Sequence, residues 1–389
     1  MPESPGKRIR VLVTAPGTAV GGQAHAARAI VEGFREHPAI DVHLQPSDPL
    51  LPGPARCLTT LPLVRSMVRP LLFTAGLLRR VPAVDVVHVF CAAHTAFLFG
   101  SVPPLVVAWL FRKPVVLNYH DGRAEAHWRG WGWLLRRATR SARTVVFPSP
   151  YLQDIFRRHG VEGDVVPNVV DTSAFVFAET RVPAPRLVSA RLLERLYAVE
   201  NTIEAFALVR REIPEARLDI YGDGVSARGL ERVADRVGRA GIRFHGFVRH
   251  AAMPEVFAEG GILVNSSRVD NVPHVIIEAF AAGLPIVTTP AGGITYMVEP
   301  DRTALVVPFD DPAAMAAAVL RLLREDGLSR RLTAAGRQRC AEYSWSAAER
   351  GWLAVYERVA GQRDLPTEPA RPIGTHPRNP RRSGETGPS

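Results

Sequence analysis

Short apolar runs alternate with segments of helical period along most of the chain, and several runs end in a glycine- or proline-bearing turn, such as APG after Thr14, HDG after Tyr119 and GDG after Tyr221. Strands are predicted at Arg8 to Thr14, Asp41 to Leu44, Val84 to Val89, Pro114 to Asn118 and Thr144 to Phe147, with helices such as Gln23 to Arg35 between them. Ser149 to His159 reads as a serine-capped helix, and Val165 to Asp171 as a strand entering a turn. The same rhythm restarts at Arg186 to Ala190, then a helix over 199–212, a strand over 217–221, strands near Arg243–Phe244 and Gly261 to Val264, and a late helix from Asp311 to Leu323. Regular α/β alternation predicts parallel sheets covered by helices on both faces. Between the two rhythms, residues 172–185 are rich in Pro, Ala and Thr, so the chain divides there.

One stretch stands apart. Residues 265–287, NSSRVDNVPHVIIEAFAAGLPIV, predict a loop, a helix starting at Pro273, a stop at Gly283 and a new strand. Glu278 interrupts its apolar run. Either it faces solvent, or it is buried with hydrogen-bond donors, because an unpaired buried carboxylate costs several kcal/mol or more.

The length of 389 residues agrees with two domains at about 100 to 200 residues each. Residues 1–172 form the first, 173–185 a linker, 186–345 the second, and 346–362 a helix that packs back on the first. Residues 363–389 hold six prolines and no aromatic, a composition that predicts a disordered tail. Cys57, Cys91 and Cys340 are far apart, odd in number and in no metal-ligand spacing, so neither a disulfide framework nor a zinc site is indicated, which fits a reducing compartment. The first residues enter a strand directly, without a long apolar leader, so secretion is not expected.

Charge is lopsided. The net +10 falls mostly on residues 1–172, with 20 basic and 12 acidic side chains, while residues 173–362 carry 23 of each. Such a surface suits an acidic substrate, an anionic membrane or nucleic acid; no zinc spacing or aromatic-studded basic motif supports the last. Leu61 to Arg80 is apolar and basic without acids. Together with Trp128, Trp131 and Trp133 beside Arg136 and Arg137 it suits an anionic membrane face, and equally a helix that covers the sheet with its arginine heads in water. Val86 to Phe111 has no charge and is long enough for a bilayer, yet Gly100, Pro103 and Pro104 break it; a buried strand plus helix is the better fit.

Chemistry is expected where the strands end, since ligands of open parallel sheets bind at the carboxyl edge. Gly21-Gly22 after the first strand suits an anion or an ordinary turn, and His120, in His120-Asp121-Gly122, is a candidate contact or a structural histidine.

With its elements in this order, the chain resembles the retaining, nucleotide-sugar-dependent glycosyltransferases of family 4. The pieces are Gly21-Gly22, DVVH at Asp85 to His88, His120, SPYLQDIF followed by VVPNVVD, SARLLE at Ser189 to Glu194, YGDG, HGFV at His245 to Val248, and the 265–287 stretch. The resemblance covers roughly residues 8–360 and implies the GT-B fold, two facing Rossmann-like α/β domains with parallel sheets and a cleft between them. It implies that Glu278 bonds the ribose of the donor, that Asp270 with the Asn271, Val272 and Pro273 backbone holds the donor sugar, and that His120 faces that sugar. The diphosphate would meet Arg191, the start of the Pro273 helix and the Gly21-Gly22 loop. Two positions depart from the family pattern: Asp270 stands where glutamate is commoner, and Tyr197-Ala198 where Lys-Gly is usual, with Arg195 a nearby substitute cation.

The expected function is therefore metal-independent, retaining transfer of a hexosyl-type sugar from a nucleoside-diphosphate sugar to a hydroxyl acceptor. The acceptor is a lipid-linked or cell-envelope glycan, or a small molecule. No cofactor beyond the nucleotide-sugar co-substrate, no metal and no nucleic-acid partner is expected. The location is cytoplasmic, in solution or peripheral on the inner membrane face. The alternative is a non-catalytic sugar- or nucleotide-binding or scaffold protein of the same fold; a phosphorylase is disfavoured because Lys7 and Lys113 are the only lysines.

Overall fold

The computed structural model describes residues 8–17, 22–50, 62–178 and 183–361; Gly21, Cys57 and the tail from residue 362 lie outside these. The first sheet carries β1 (Ile9–Ala15), β2 (Ile40–Pro46), β3 (Val86–Cys91), β4 (Val115–Tyr119), β5 (Thr144–Phe147) and β6 (Asp164–Val165), and its helices are α1 (Gly22–Gly33), α2 (Pro62–Arg80), α3 (Val102–Leu110), α4 (Ala124–Ser141) and α5 (Pro150–Arg158). Its strand order is β2-β1-β3-β4-β5-β6, all parallel, with Val11 opposite Val42 and Val86.

The second sheet is built from β7 (Arg186–Ala190), β8 (Arg217–Tyr221), β9 (Ile242–Gly246), β10 (Ile262–Asn265), β11 (Ile286–Thr288) and β12 (Leu305–Val306), in the order β12-β11-β10-β7-β8-β9 and again parallel. Its helices are α6 (Val199–Glu212), α7 (Ala227–Val237), α8 (Met253–Ala258), α9 (His274–Ala282), α10 (Ile294–Met297), α11 (Pro312–Arg324) and α12 (Leu328–Cys340), followed by α13 (Trp345–Gly361). Hydrophobic strands that bury both faces need cover on both, and four apolar clusters supply it. On the first sheet α2 to α5 cover one face, while α1 and α13 cover the other, where Trp352, Val355 and Tyr356 meet Phe34 and Val116. In the second sheet the fully buried Arg186 bonds Asp219 at 2.6 Å and the Gly260 carbonyl at 2.8 Å, so its charge is paired rather than left in the core.

Val86 to Phe111 is a strand and a helix, as expected: β3, a short π turn at Phe97–Ser101 and α3, and no helix among the described residues is long and apolar enough to cross a membrane. One sequence expectation changes. The tryptophans do not share one exposed face: Trp128 is buried and stacked 4.4 Å from His159, Trp131 is half-buried, and Trp133 is exposed. Helical spacing turns residues five apart to different sides, and α4 is also kinked at Trp131, where φ is −131° and ψ 22°.

Candidate active site between the domains

Strand ends bring the site together. β10 ends at Asn265, and the loop that follows, Ser266 to Pro273, leads into α9. Pro273 is the N-cap, extended at ψ 111°, and the helix begins one residue later than the sequence predicts. Its stop is as predicted: Gly283 takes the left-handed conformation, φ 72°. The loop rests on the turn after β11. A Cβ on Gly293 would collide with the Asn271 carbonyl oxygen, so only glycine allows this approach. Gly293→Val is expected to displace the Asp270 to Pro273 backbone, lowering Tm by the equivalent of about 1–3 kcal/mol and removing activity, and a Tm series with turnover assays checks it.

Glu278 settles between its two readings as buried, 3 % exposed, on a helix whose residues 275–282 are all buried. Its Oε1 accepts a hydrogen bond from His250 Nε2 at 2.8 Å, and that bond, more than any other cause, raises the His250 pKa. His25, on α1 of the first domain, lies with its ring 5.5 Å from that of His250 and so faces Glu278 across the cleft.

Asp270 is bound by Arg191, Nη2 to Oδ2 at 2.5 Å, and by Ser267 Oγ and the Asn271 amide. Burial raises its pKa against the pull of Arg191. Arg191 follows β7 directly, and its guanidinium lies 4.2 Å over the ring of Tyr197. Tyr197 thus fills the expected lysine position by stacking on the cation beside it. Ala198 then holds φ 47°, a left-handed turn that glycine adopts without strain. Arg195 is not drawn in: it is exposed, and its carbonyl accepts from Arg268.

The first domain contributes the opposite wall. His120 follows β4, its ring 4.8 Å from Phe90, and burial followed by the charge of His274 pushes its pKa down to about 3. Gly122 packs on Asn271, Cβ position to amide 3.6 Å, and Ser149 Oγ donates to Asn271 Oδ1 at 2.5 Å. Those contacts hold the Asp270 loop against the first domain. Gly22 is the exposed first residue of α1.

His25, His250 and His274 were not singled out from sequence. His274 stands one helical turn before Glu278, a spacing that places the two on one face and would have flagged it. Burial lowers His274 to about 4 and leaves its Nε2 without a protein partner.

Buried neutral histidines set a pH dependence. His88 and His127 are pushed down to about 3 and about 4, chiefly by burial, as His120 and His274 are. Below pH 6.5 the unfolded chain binds protons that the folded one refuses, so stability falls as pH drops from 6.5 toward 3–4, by up to about 1.4 kcal/mol per pH unit for each histidine. His250 has the opposite sign: its bond to Glu278 stabilises fully below 6.5 and is lost as pH rises through its raised value. A Tm series from neutral to mildly acidic pH is expected to fall steadily, and a flat profile would exclude neutral buried histidines.

A guanidinium and the amino end of a nine-residue helix attract an anion, while two carboxylates close to them accept hydrogen bonds from hydroxyls. Two family models match this chain: Glycosyltransferase Family 4 over residues 20–174 and Glycosyl transferases group 1 over residues 185–325. The chain is 29 % identical over 382 residues to the GDP-mannose-dependent alpha-mannosyltransferase of Mycolicibacterium smegmatis, covering 91 % of this chain and 90 % of that one. It is 28 % identical over 311 residues to the glycogen synthase of Mycobacterium tuberculosis, covering 75 % and 73 %. Among solved structures, HepE of Anabaena in complex with UDP and glucose superposes with a TM-score of 0.70 at 16 % identity, over 90 % of this chain and 99 % of that one. Sucrose-phosphate synthase from Thermosynechococcus elongatus gives 0.71 at 18 %, over 91 % and 100 %. Two parallel six-stranded sheets, a site at their facing edges and family models matched across both halves make the chain a family 4 glycosyltransferase with the GT-B fold.

Proposed function

We propose that the protein moves a hexosyl-type sugar from a nucleoside-diphosphate sugar to a hydroxyl acceptor, with retention and without a metal. The observation that carries this is the Arg191–Asp270 pair beside the start of α9, one helical turn from buried Glu278 and opposite His120. In this reading Glu278 accepts hydrogen bonds from the ribose hydroxyls. Asp270, Asn271 and His120 surround the sugar, with His120 neutral and so free to accept as well as donate. Arg191, stacked on Tyr197, meets the diphosphate together with the amides at the start of α9.

The acceptor oxygen attacks the anomeric carbon on the face that the diphosphate leaves. The bond from that carbon to the phosphate oxygen breaks, and the departing oxygen takes the acceptor proton. Arg191 offsets the negative charge that develops there. No protein nucleophile takes part, and no Asp-x-Asp pair follows a strand to hold a metal.

A panel of UDP-, GDP-, ADP- and dTDP-sugars, read first by thermal shift and then by nucleoside diphosphate release with lipid and small-molecule acceptors, tests the proposal. At least one donor should raise Tm, because a ligand that binds only the folded state stabilises it, and the same donor should be turned over. Binding without turnover on any acceptor supports a non-catalytic sugar-nucleotide protein instead; no binding at all sinks both.

A further inference from the structure

The outer face of the first domain carries features that the cleft does not use. Helices α2, α3 and α4 lie side by side over one face of the first sheet, pressing Phe73, Leu77, Leu105, Ala108, Leu135 and Ala138 into the core. Their opposite sides are not polar. Trp109 is 76 % exposed, Trp133 74 % and Leu71 70 %, with Leu110 and Phe111 also exposed at the end of α3. Large apolar side chains left exposed on three neighbouring helices point to an interaction surface.

Charge says which kind. From residue 49 to residue 153 the chain has 13 arginines and lysines against three carboxylates, Asp85, Asp121 and Glu125. All three carboxylates are already matched, with Arg10, Arg123 and Arg158. Arg112, Arg129, Arg137 and Arg140 are exposed, and none forms an ion pair among the described residues. Arginines at helix ends also balance helix dipoles, which would account for Arg79, Arg80 and Arg140. Dipoles do not account for Trp109, Leu110 and Phe111 laid bare beside Arg112. Indole rings beside unpaired guanidinium groups, with acids excluded, match the region where acyl chains meet anionic headgroups.

We propose that this α2–α3–α4 face docks on an anionic lipid surface, with Trp109 and Trp133 entering the headgroup layer and Arg112, Arg137 and Arg140 facing lipid phosphates. The face runs lengthwise along the domain. Phe99, exposed and just past β3, lies toward the strand ends that line the cleft, while Trp109 lies at the far end, because a helix joining parallel strands runs back against them. A membrane-held acceptor would reach His120 past the Phe99 edge. Docking itself does not depend on the transfer reading and is measured without donor or acceptor.

Co-sedimentation of the full chain with vesicles of phosphatidylcholine alone, or with about a third phosphatidylglycerol, reads the surface directly. Binding should favour the anionic vesicles by about tenfold or more and weaken with added salt. The double variant Trp109→Ala/Trp133→Ala should lose about tenfold of that binding, and Arg112→Gln/Arg137→Gln/Arg140→Gln should lose the preference for anionic lipid. Arg211→Gln/Arg228→Gln/Arg232→Gln, three exposed arginines of α6 and α7, is the control for net charge and should leave binding unchanged. Equal binding to both vesicle types, full binding by the tryptophan variant, or an equal loss in the control overturns the proposal. So does a face that binds no vesicle and instead retains an acidic protein. All these side chains are exposed, so wild-type Tm in each variant separates surface effects from misfolding.

Discussion

Glu278→Ala will reduce kcat/KM for the nucleotide-sugar donor by about a hundredfold, because a charged acceptor contributes roughly 1.5–3 kcal/mol per hydrogen bond and each 1.4 kcal/mol is a factor of ten. The residue faces His250 in the free protein, and a structural role as that histidine's partner is the competing explanation. His250→Ala separates the two. If Glu278 served only to hold His250, both variants would lose activity alike. If the carboxylate contacts the donor, His250→Ala keeps most turnover while Glu278→Ala does not. Calorimetry with the nucleoside diphosphate adds a binding readout independent of the acceptor: Glu278→Ala should weaken it by a similar factor. Stability is a second check. The His250 side chain is half exposed, so losing its partner costs little, and Tm should change by only a few degrees at neutral pH.

Much of the architecture was legible because a buried parallel strand leaves a short apolar run and its crossover helix a longer periodic one. Thr144–Phe147, Arg186–Ala190, Val199–Glu212 and Arg217–Tyr221 fall where those periods place them. Glu278 was not legible from its own helix. α9 is buried on every side, so no polar face exists against which a carboxylate can be judged inside or outside. His250 was hidden for another reason. It reaches Glu278 from a short 3-10 turn 28 residues earlier, and His25 reaches His250 from the other domain; no local period records such meetings. Tyr197 shows what a missing residue conceals. Sequence registered only the lost lysine, whereas the three-residue turn over Arg195–Tyr197 and the left-handed Ala198 place the ring against Arg191.

Arg191→Met should have the largest effect on chemistry, lowering kcat by about 10²–10³ through loss of the charge beside the leaving phosphate. It also leaves Asp270 as a buried carboxylate with only the Ser267 hydroxyl and the Asn271 amide. Removing one partner of a buried pair costs about 3–5 kcal/mol unless the survivor is protonated, and burial already drives Asp270 in that direction. A fall in activity could then reflect a damaged loop rather than lost phosphate stabilisation. The double variant Arg191→Met/Asp270→Asn, compared with Asp270→Asn alone, resolves this, since neither leaves a buried carboxylate unpaired. Tm should recover toward wild type while turnover of the double variant stays well below that of Asp270→Asn. Recovery of both would reduce Arg191 to a brace for the loop. Arg191→Lys adds the geometric test: an ammonium keeps the charge but loses the planar guanidinium, whose face stacks on Tyr197 while its Nη2 bonds Asp270. Activity between wild type and Arg191→Met is expected, and full activity would mean that Tyr197 does not position the cation.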